Sequence, residues 1–271
     1  MSARDGSGDP RLDVSLLGRC VVLATNGREV RLPGRHAQAL LAVLVIARRP
    51  RTREAIAVDL WPEALHLSTG PLRQALYQLR QALTAAGLDP DGVLESDAES
   101  LALRSGAVAT LDIERFEACI ADPGCGAAEA IRVYGGDLVE GLGHECFVAE
   151  RERLADRYED ALADLAAQRL AEGDLASART MAERLVVRDP LREEAHAILI
   201  AVHGLVGSRS QVVRQYRRVR EILARELGEV PLPETDAVYR RAMDSTVRRS
   251  MHKATETERP LGVELKVVAR G

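Results

Sequence analysis

The N-terminal half of the chain is organised around one segment, Leu72-Arg73-Gln74-Ala75-Leu76-Tyr77-Gln78-Leu79-Arg80-Gln81-Ala82-Leu83. Its leucines recur at the spacing of one side of an α-helix. The opposite side carries arginine, glutamine and tyrosine and no carboxylate. Arginine and glutamine pair with guanine and adenine edges, and both also reach phosphates. The pattern alone favours an ordinary surface helix with a water-facing polar side, so the function depends on what flanks it.

Short β-prone runs come first in the chain, at residues 12–16, 20–23 and 30–32. Asn26-Gly27 separates the second run from the third, and Asn-Gly between two such runs is a strong hairpin signal. We therefore expect three short antiparallel strands at the N-terminus.

Two helices are predicted between these strands and the leucine-striped segment. Residues 35–49 have apolar side chains at helical spacing, and Pro50 ends that helix because proline cannot continue one. Thr52 is a suitable N-cap for a second helix, which ends at Trp61-Pro62. Pro71 suits the first turn of the leucine-striped helix.

A β-ribbon is predicted after the leucine-striped helix, from two short runs at residues 93–95 and 100–103. The order is then three strands, three helices and a ribbon. This is an α+β winged helix preceded by a small sheet. The order favours DNA binding over an α+β domain without a nucleic-acid role.

The C-terminal half is almost wholly helical in pattern from residue 113 onward. Gly173 and Gly207 lie one tetratricopeptide (TPR) period apart, with Asp189-Pro190 between them. A TPR helix pair buries its apolar face only against stacked neighbours, and the stack offers a concave surface to a partner. We expect a disordered start at 1–11, a winged-helix DNA-binding domain at 12–112, an all-α TPR-like domain at 113–244 and a flexible tail at 245–271.

Composition restricts the class of protein. The 271 residues are 46% hydrophobic and 29% charged, which predicts packed domains rather than disorder. The four cysteines lack metal-type spacing, which predicts reduced thiols, no zinc and a cytoplasmic location. The longest uncharged apolar run, 39–47, is too short to cross a membrane. No phosphate loop or nucleophile elbow indicates an enzyme or a cofactor.

Several segments resemble a known family. The winged helix of the actinomycete antibiotic-regulatory (SARP) family of transcriptional activators resembles three segments of this chain: Leu32-Pro33, Asp59-Leu60-Trp61-Pro62 and the leucine-striped helix. Further segments resemble the bacterial transcriptional activator domain that follows the winged helix in that family: Gly136-Asp137-Leu138 and residues 150–154, 189–196, 226–228 and 233–239. The resemblance covers roughly residues 12–245, with both halves in the family's order.

The resemblance implies an activator whose third helix enters the major groove while its ribbon touches the flanking backbone. The candidate DNA-contacting residues are Arg73, Gln74, Tyr77, Gln78, Arg80 and Gln81 of the helix, together with Thr69, Arg51 and Arg53. The implied partners are double-stranded promoter DNA with direct repeats, a second copy of the chain on that DNA, and RNA polymerase holoenzyme. The implied target is a biosynthetic gene cluster, with no cofactor and no metal.

The ribbon departs from the family pattern. The family usually has an arginine and a Gly-Tyr-Arg-like turn there, whereas this chain has Glu95, Asp97 and Glu99. Carboxylates beside phosphates repel them, more strongly at low salt. A second hypothesis therefore stays open: a TPR-type protein-interaction or ligand-sensing regulator whose DNA binding is weak or lost.

Overall fold

A computed structural model describes residues 11–64, 70–122 and 126–257 of the chain. The chain forms two compact units, residues 1–161 and residues 162–271. The first unit combines strands and helices, and the described part of the second consists of helices. The predicted fold class, a winged helix with a small sheet followed by a helical domain, is confirmed.

The strands are β1 (Leu12–Ser15), β2 (Val21–Ala24), β3 (Arg51–Thr52), β4 (Leu94–Ser96), β5 (Ser100–Leu103) and β6 (Val108–Leu111). The helices are α1 (Gly34–Ala47), α2 (Arg53–Leu60), α3 (Gly70–Ala85), α4 (Pro90–Val93), α5 (Asp112–Ala121), α6 (Gly126–Val133), α7 (Val148–Glu172), α8 (Leu175–Arg188), α9 (Glu193–Val206), α10 (Arg209–Glu226) and α11 (Pro233–Thr257). Single 3-10 turns lie at Pro62–Ala64 and Glu145–Phe147.

Helix α1 lies at the centre of the first unit. Ala37 and every residue from 39 to 45 are buried, and α1 packs against α2, α3 and β5. Thr52 caps α2 as predicted, because its Oγ1 accepts the Ala55 N–H at 3.2 Å. Strands β4 and β5 form the predicted ribbon, which β3 extends to a three-stranded sheet in the order β3-β5-β4. These elements make up the winged helix.

The N-terminal sheet differs from the prediction in its third strand. The turn at Asn26-Gly27 is confirmed, since Asn26 Oδ1 accepts the Arg28 N–H at 2.9 Å. The chain then pairs with β2 only briefly, through a bridge between Leu23 and Glu29. The sheet order is β2-β1-β6, with β2 antiparallel and β6 parallel to β1. The third strand therefore comes from residues after the ribbon, and the predicted strand at 30–32 is wrong.

Helix α3 buries the predicted apolar side with one change. Leu72, Leu79 and Leu83 are at most 3% exposed, as expected of a stripe that faces the core. Leu76 is only half-buried, and Ala75 takes the fully buried position beside it. A small residue at that position is consistent with close packing of α3 against α1.

The second unit is built from helices that turn at the two predicted glycines. Gly173 and Gly207 adopt left-handed φ angles of 82° and 85°, and each follows a helix. Helix α9 packs against α8, α10 and α11. Helix α11 continues to Thr257, so residues 245–257, which we expected to be tail, are helical.

The cysteines and the helix lengths can be compared with the expectations from composition. Cys20 and Cys146 are free thiols, but Cys119 is disulfide-bonded, so the prediction that all cysteines are reduced is wrong for Cys119. In the described part of the chain, every helix is too short or too polar to cross a membrane.

Candidate nucleic-acid interface

The outer side of α3 presents a polar, carboxylate-free surface. Arg73, Gln74 and Gln81 are exposed, and Gln78 is half-buried. Tyr77 leaves 59% of its area in water, a large fraction for an aromatic side chain. Since the leucines opposite are buried, these side chains are fixed to point away from the core. This surface can offer hydrogen bonds and an aromatic face to a ligand.

Arg80, on the same helix, is engaged within the protein. Its guanidinium forms an ion pair with Asp91, at the start of α4. The Nε of Arg104 donates to the backbone carbonyl of Asp91 at 2.6 Å. These contacts tie the end of α3 to the residue that follows the ribbon. The local role of Arg80 is therefore to position α3.

Arg51 and Arg53 also have partners inside the unit. Arg51 forms an ion pair with Asp59 across α2, with 2.8 Å between Nη1 and Oδ2. Arg53 donates from Nη2 to Ser96 Oγ at 2.8 Å and from Nε to the Asp97 carbonyl at 2.9 Å. Arg53 thus fastens the ribbon to the start of α2. Thr69, the remaining candidate, lies outside the described residues.

Asp97 shapes the turn of the acidic ribbon. Its Oδ1 accepts the backbone N–H groups of Glu99 at 2.8 Å and Ser100 at 2.6 Å, and its Oδ2 accepts the Ser100 hydroxyl at 2.8 Å. The hydrogen bonds from Ser100, followed by that from Glu99, lower the pKa of Asp97. Sequence reasoning missed this role, although an aspartate three residues before a serine is a usual pattern for such turns.

Glu95 and Glu99 remain exposed on the ribbon. Of the three ribbon carboxylates, only Asp97 thus has a clear structural reason to be acidic. The charge conflict expected between the ribbon and a DNA backbone therefore comes mainly from Glu95 and Glu99.

The helical half matches a described protein family. Residues 125–242 match the model of the bacterial transcriptional activator domain. The transcriptional regulatory protein MoaR1 of Mycobacterium tuberculosis is 28% identical over 243 residues, which cover 82% of this chain and 76% of MoaR1. The regulatory protein AfsR of Streptomyces coelicolor is 27% identical over 223 residues, 77% of this chain and 22% of AfsR.

A relative with a solved structure matches both units. The transcriptional regulatory protein EmbR of Mycobacterium tuberculosis is 29% identical over 260 residues, 87% of this chain and 64% of EmbR. The structure of EmbR in complex with a low affinity phosphopeptide has a TM-score of 0.66 and 26% identity, and the match covers 92% of this chain and 71% of that chain.

The chain is thus similar in both halves to named transcriptional regulators, and its helical half matches the bacterial transcriptional activator domain. These relatives match this chain through both halves, and the activator-domain match at residues 125–242 follows the winged helix in the chain. They also confirm that it is a transcriptional regulator and not an enzyme. An exposed polar α3 is thus the candidate DNA-contacting surface of a transcriptional regulator.

Proposed function

We propose that this protein is a sequence-specific activator of the SARP type that inserts α3 into the major groove of promoter DNA. The observation that carries the proposal is the outward, carboxylate-free face of α3, fixed by buried leucines on the opposite side. In winged-helix and related proteins, residues near the start of the third helix contact base edges. Arg73, Gln74, Tyr77 and Gln78 are the residues at that position.

The candidate residues then divide into two roles. Arg73 and Gln74 read base edges, Tyr77 and Gln78 complete the contact, and Gln81 meets the backbone. Arg51, Arg53 and Arg80 support the helix and the ribbon through the contacts described above. Loss of a supporting arginine should therefore weaken binding to all sequences alike.

The proposal also includes protein partners of the DNA-bound chain. The resemblance to the SARP family supports a homodimer on direct repeats and recruitment of RNA polymerase holoenzyme. It also supports control of an antibiotic-type biosynthetic gene cluster by a cytoplasmic protein. In this arrangement, residues 12–112 bind DNA and residues 113–244 contact the partner protomer or polymerase. The TPR-like helices supply the protein-binding surface.

The test begins with sites selected from random duplex DNA by the intact protein. Arg73→Ala and Gln74→Ala should each weaken binding to the selected site by about 1–3 kcal/mol and relax specificity at one position. Arg209→Ala and Gln211→Ala, which make the same changes on α10, serve as matched controls. Binding by the α3 variants as tight as that of the parent protein would show that α3 does not read the bases.

One observation favours the second hypothesis, a protein-interaction or ligand-sensing regulator. Glu95 and Glu99 are exposed on the ribbon, while three candidate arginines are engaged inside the first unit. A salt titration separates the two functions. An activator that makes several phosphate contacts loses affinity steeply as salt rises. Absence of binding to duplex DNA at low salt would favour the sensor.

A further inference from the structure

A cavity of about 950 Å³ lies in the first unit, outside the α3 surface. Three segments line it: the start of α1 at Arg35 and His36, residues 58–63 at the end of α2, and residues 143–146 before α7. Its volume falls within the range of small-molecule sites, about 300–1,000 Å³. The DNA-binding proposal leaves this cavity without a role.

Two rings in fixed positions form one wall of the cavity. The Nε1–H of Trp61 donates to Nδ1 of His36 at 2.8 Å, and the ring centroids are 5.5 Å apart with an interplanar angle of 53°. Because an indole nitrogen can only donate, Nδ1 of His36 is the acceptor and its ring proton resides on Nε2. This hydrogen bond holds the indole in place, and Trp61 offers a flat surface to an aromatic ring or a cation.

The charges on the wall favour a cation over an anion. Asp59 is neutralised by Arg51 at 2.8 Å. Glu63 and Glu145 are exposed and form no ion pair within the described part of the chain. Arg35 is the lining cation that remains, so two carboxylates face one guanidinium. A bound ammonium would restore the balance.

His144, in the third lining segment, has an unsatisfied ring nitrogen. Nδ1 of His144 is buried, and no described residue bonds to it. Burial lowers the pKa of His144, so the ring stays neutral. In the tautomer with the proton on Nε2, the buried Nδ1 is an acceptor. Buried polar atoms are rarely left without a partner. An ammonium N–H is a donor of the required kind.

Metal binding and thiol chemistry fit the cavity poorly. Within the described residues, no three histidine, cysteine, aspartate or glutamate side chains are grouped to hold a metal ion. Burial raises the pKa of Cys146 to about 11, so its thiol stays protonated at neutral pH. A protonated thiol is a poor nucleophile and a poor metal ligand. An organic ligand is therefore the better match.

We propose that this cavity binds a small molecule that carries a planar aromatic ring and a protonated amine. The ring lies against Trp61, and the ammonium group lies near Glu63 and Glu145. Residues 58–63 precede α3 in the chain. Occupancy of the cavity should therefore alter the affinity of α3 for DNA, a consequence that rests on the proposed DNA binding.

The first experiment uses the intact protein without DNA. The chain has a single tryptophan, so one indole N–H resonance in its NMR spectrum reports on the cavity wall. Three probes share a naphthalene ring: 1-naphthylmethylamine, 1-naphthylmethanol and 1-naphthylacetate. The amine should shift the indole resonance in a saturable way and bind more tightly than the alcohol, with the acetate weakest.

The double variant Glu63→Gln/Glu145→Gln tests the charge assignment. It should weaken amine binding by about five- to tenfold, the effect of losing two partly screened charge interactions, and should leave alcohol binding unchanged. Glu221→Gln/Glu229→Gln removes the same charge outside the cavity and should have no effect. An unmoved indole resonance with all three probes, or acetate binding as tight as amine binding, would overturn the site.

The second experiment measures the affinity for a selected duplex with and without the amine. The dissociation constant should change for the parent protein and not for the Glu63→Gln/Glu145→Gln variant. An unchanged constant while the indole resonance is shifted would overturn the effect on α3. Because the first experiment contains no DNA, failure of the proposed DNA binding cannot be mistaken for failure of the site.

Discussion

His196 is fully buried in α9, and both of its ring nitrogens have partners. Nε2 donates to the Pro190 carbonyl at 3.0 Å, and Nδ1 accepts from Gln215 Nε2 at 2.8 Å. These bonds assign the neutral ring a packing role. Burial is the main cause that lowers its pKa below the ordinary value of 6.5.

The lowered pKa predicts a loss of stability in acid. The folded protein disfavours the charged ring, so this contribution to stability is complete above pH 6.5 and is lost as the pH falls through the folded-state pKa. The free energy of unfolding of the parent protein should therefore fall more steeply between pH 7 and pH 5 than that of His196→Leu. Denaturant unfolding at several pH values measures both slopes. Parallel slopes would contradict the assignment.

The exposed ribbon carboxylates should weaken DNA binding. Removing the two charges in Glu95→Gln/Glu99→Gln should tighten binding to a selected duplex at low salt, by about 0.3–1 kcal/mol for each charge. The gain should shrink at high salt because the charges are screened. Fluorescence anisotropy at two salt concentrations measures it. An equal gain at both concentrations would indicate a change in structure rather than in repulsion.

Asp97 should respond differently from its acidic neighbours. Asp97→Ala removes the acceptors of the Glu99 and Ser100 N–H groups, so the turn should open more often. We expect faster hydrogen exchange at the Ser100 amide in this variant and an unchanged rate in Glu95→Gln. Unchanged exchange in Asp97→Ala would show that the ribbon turn does not depend on its carboxylate.

The contact of α9 with α11 depends on one glycine. A Cβ at Gly204 would lie 2.7 Å from Cβ and 2.8 Å from Cα of Ala242. Gly204→Ala should therefore destabilise the protein by about 1–3 kcal/mol through overpacking. This exceeds the gain of up to about 1 kcal/mol that alanine brings to a helix. Gly143→Ala, which meets no atom within 4 Å, should be close to neutral in the same denaturant unfolding measurement.

Local pattern was sufficient to predict the helices and the ribbon. The stripe of α3, the Thr52 cap and the turn at Asn26-Gly27 depend on neighbours a few residues away, which periodicity reports directly. The third strand of the N-terminal sheet could not be read in this way. Strand β6 pairs with β1 from a distant part of the chain, and no local pattern specifies that pairing.

The exposed residues of the candidate site could be predicted from the sequence, but the ion pairs of its arginines could not. The exposed residues Arg73, Gln74 and Tyr77 follow from helical spacing. The engagement of Arg80 with Asp91 depends on how α3 and α4 meet, and spacing does not contain that information. Arginines that sequence alone assigns to phosphate can therefore turn out to be structural.

The formal net charge of the chain, −4, opposes non-specific attraction to DNA. A homodimer on direct repeats, as proposed, would gain affinity from two linked contacts. Lengthening the spacer by about half a helical turn, ~5 bp, should abolish cooperative binding, and ~10 bp should largely restore it because the protomers return to one side of the duplex. Gel-shift titration distinguishes the two spacers. Equal cooperativity on both would exclude a fixed dimer.

Strand β1, which lies between β2 and β6, also has a consequence for protein synthesis. The ribosome releases β6 roughly 100 residues after β1, a delay of ~5–20 s at ordinary translation rates. Throughout that interval the nascent chain carries one unpaired edge of β1, a surface open to chaperones or to neighbouring nascent chains. The N-terminal sheet therefore closes only after the rest of the winged helix has been translated, although β1 and β2 are translated before its helices.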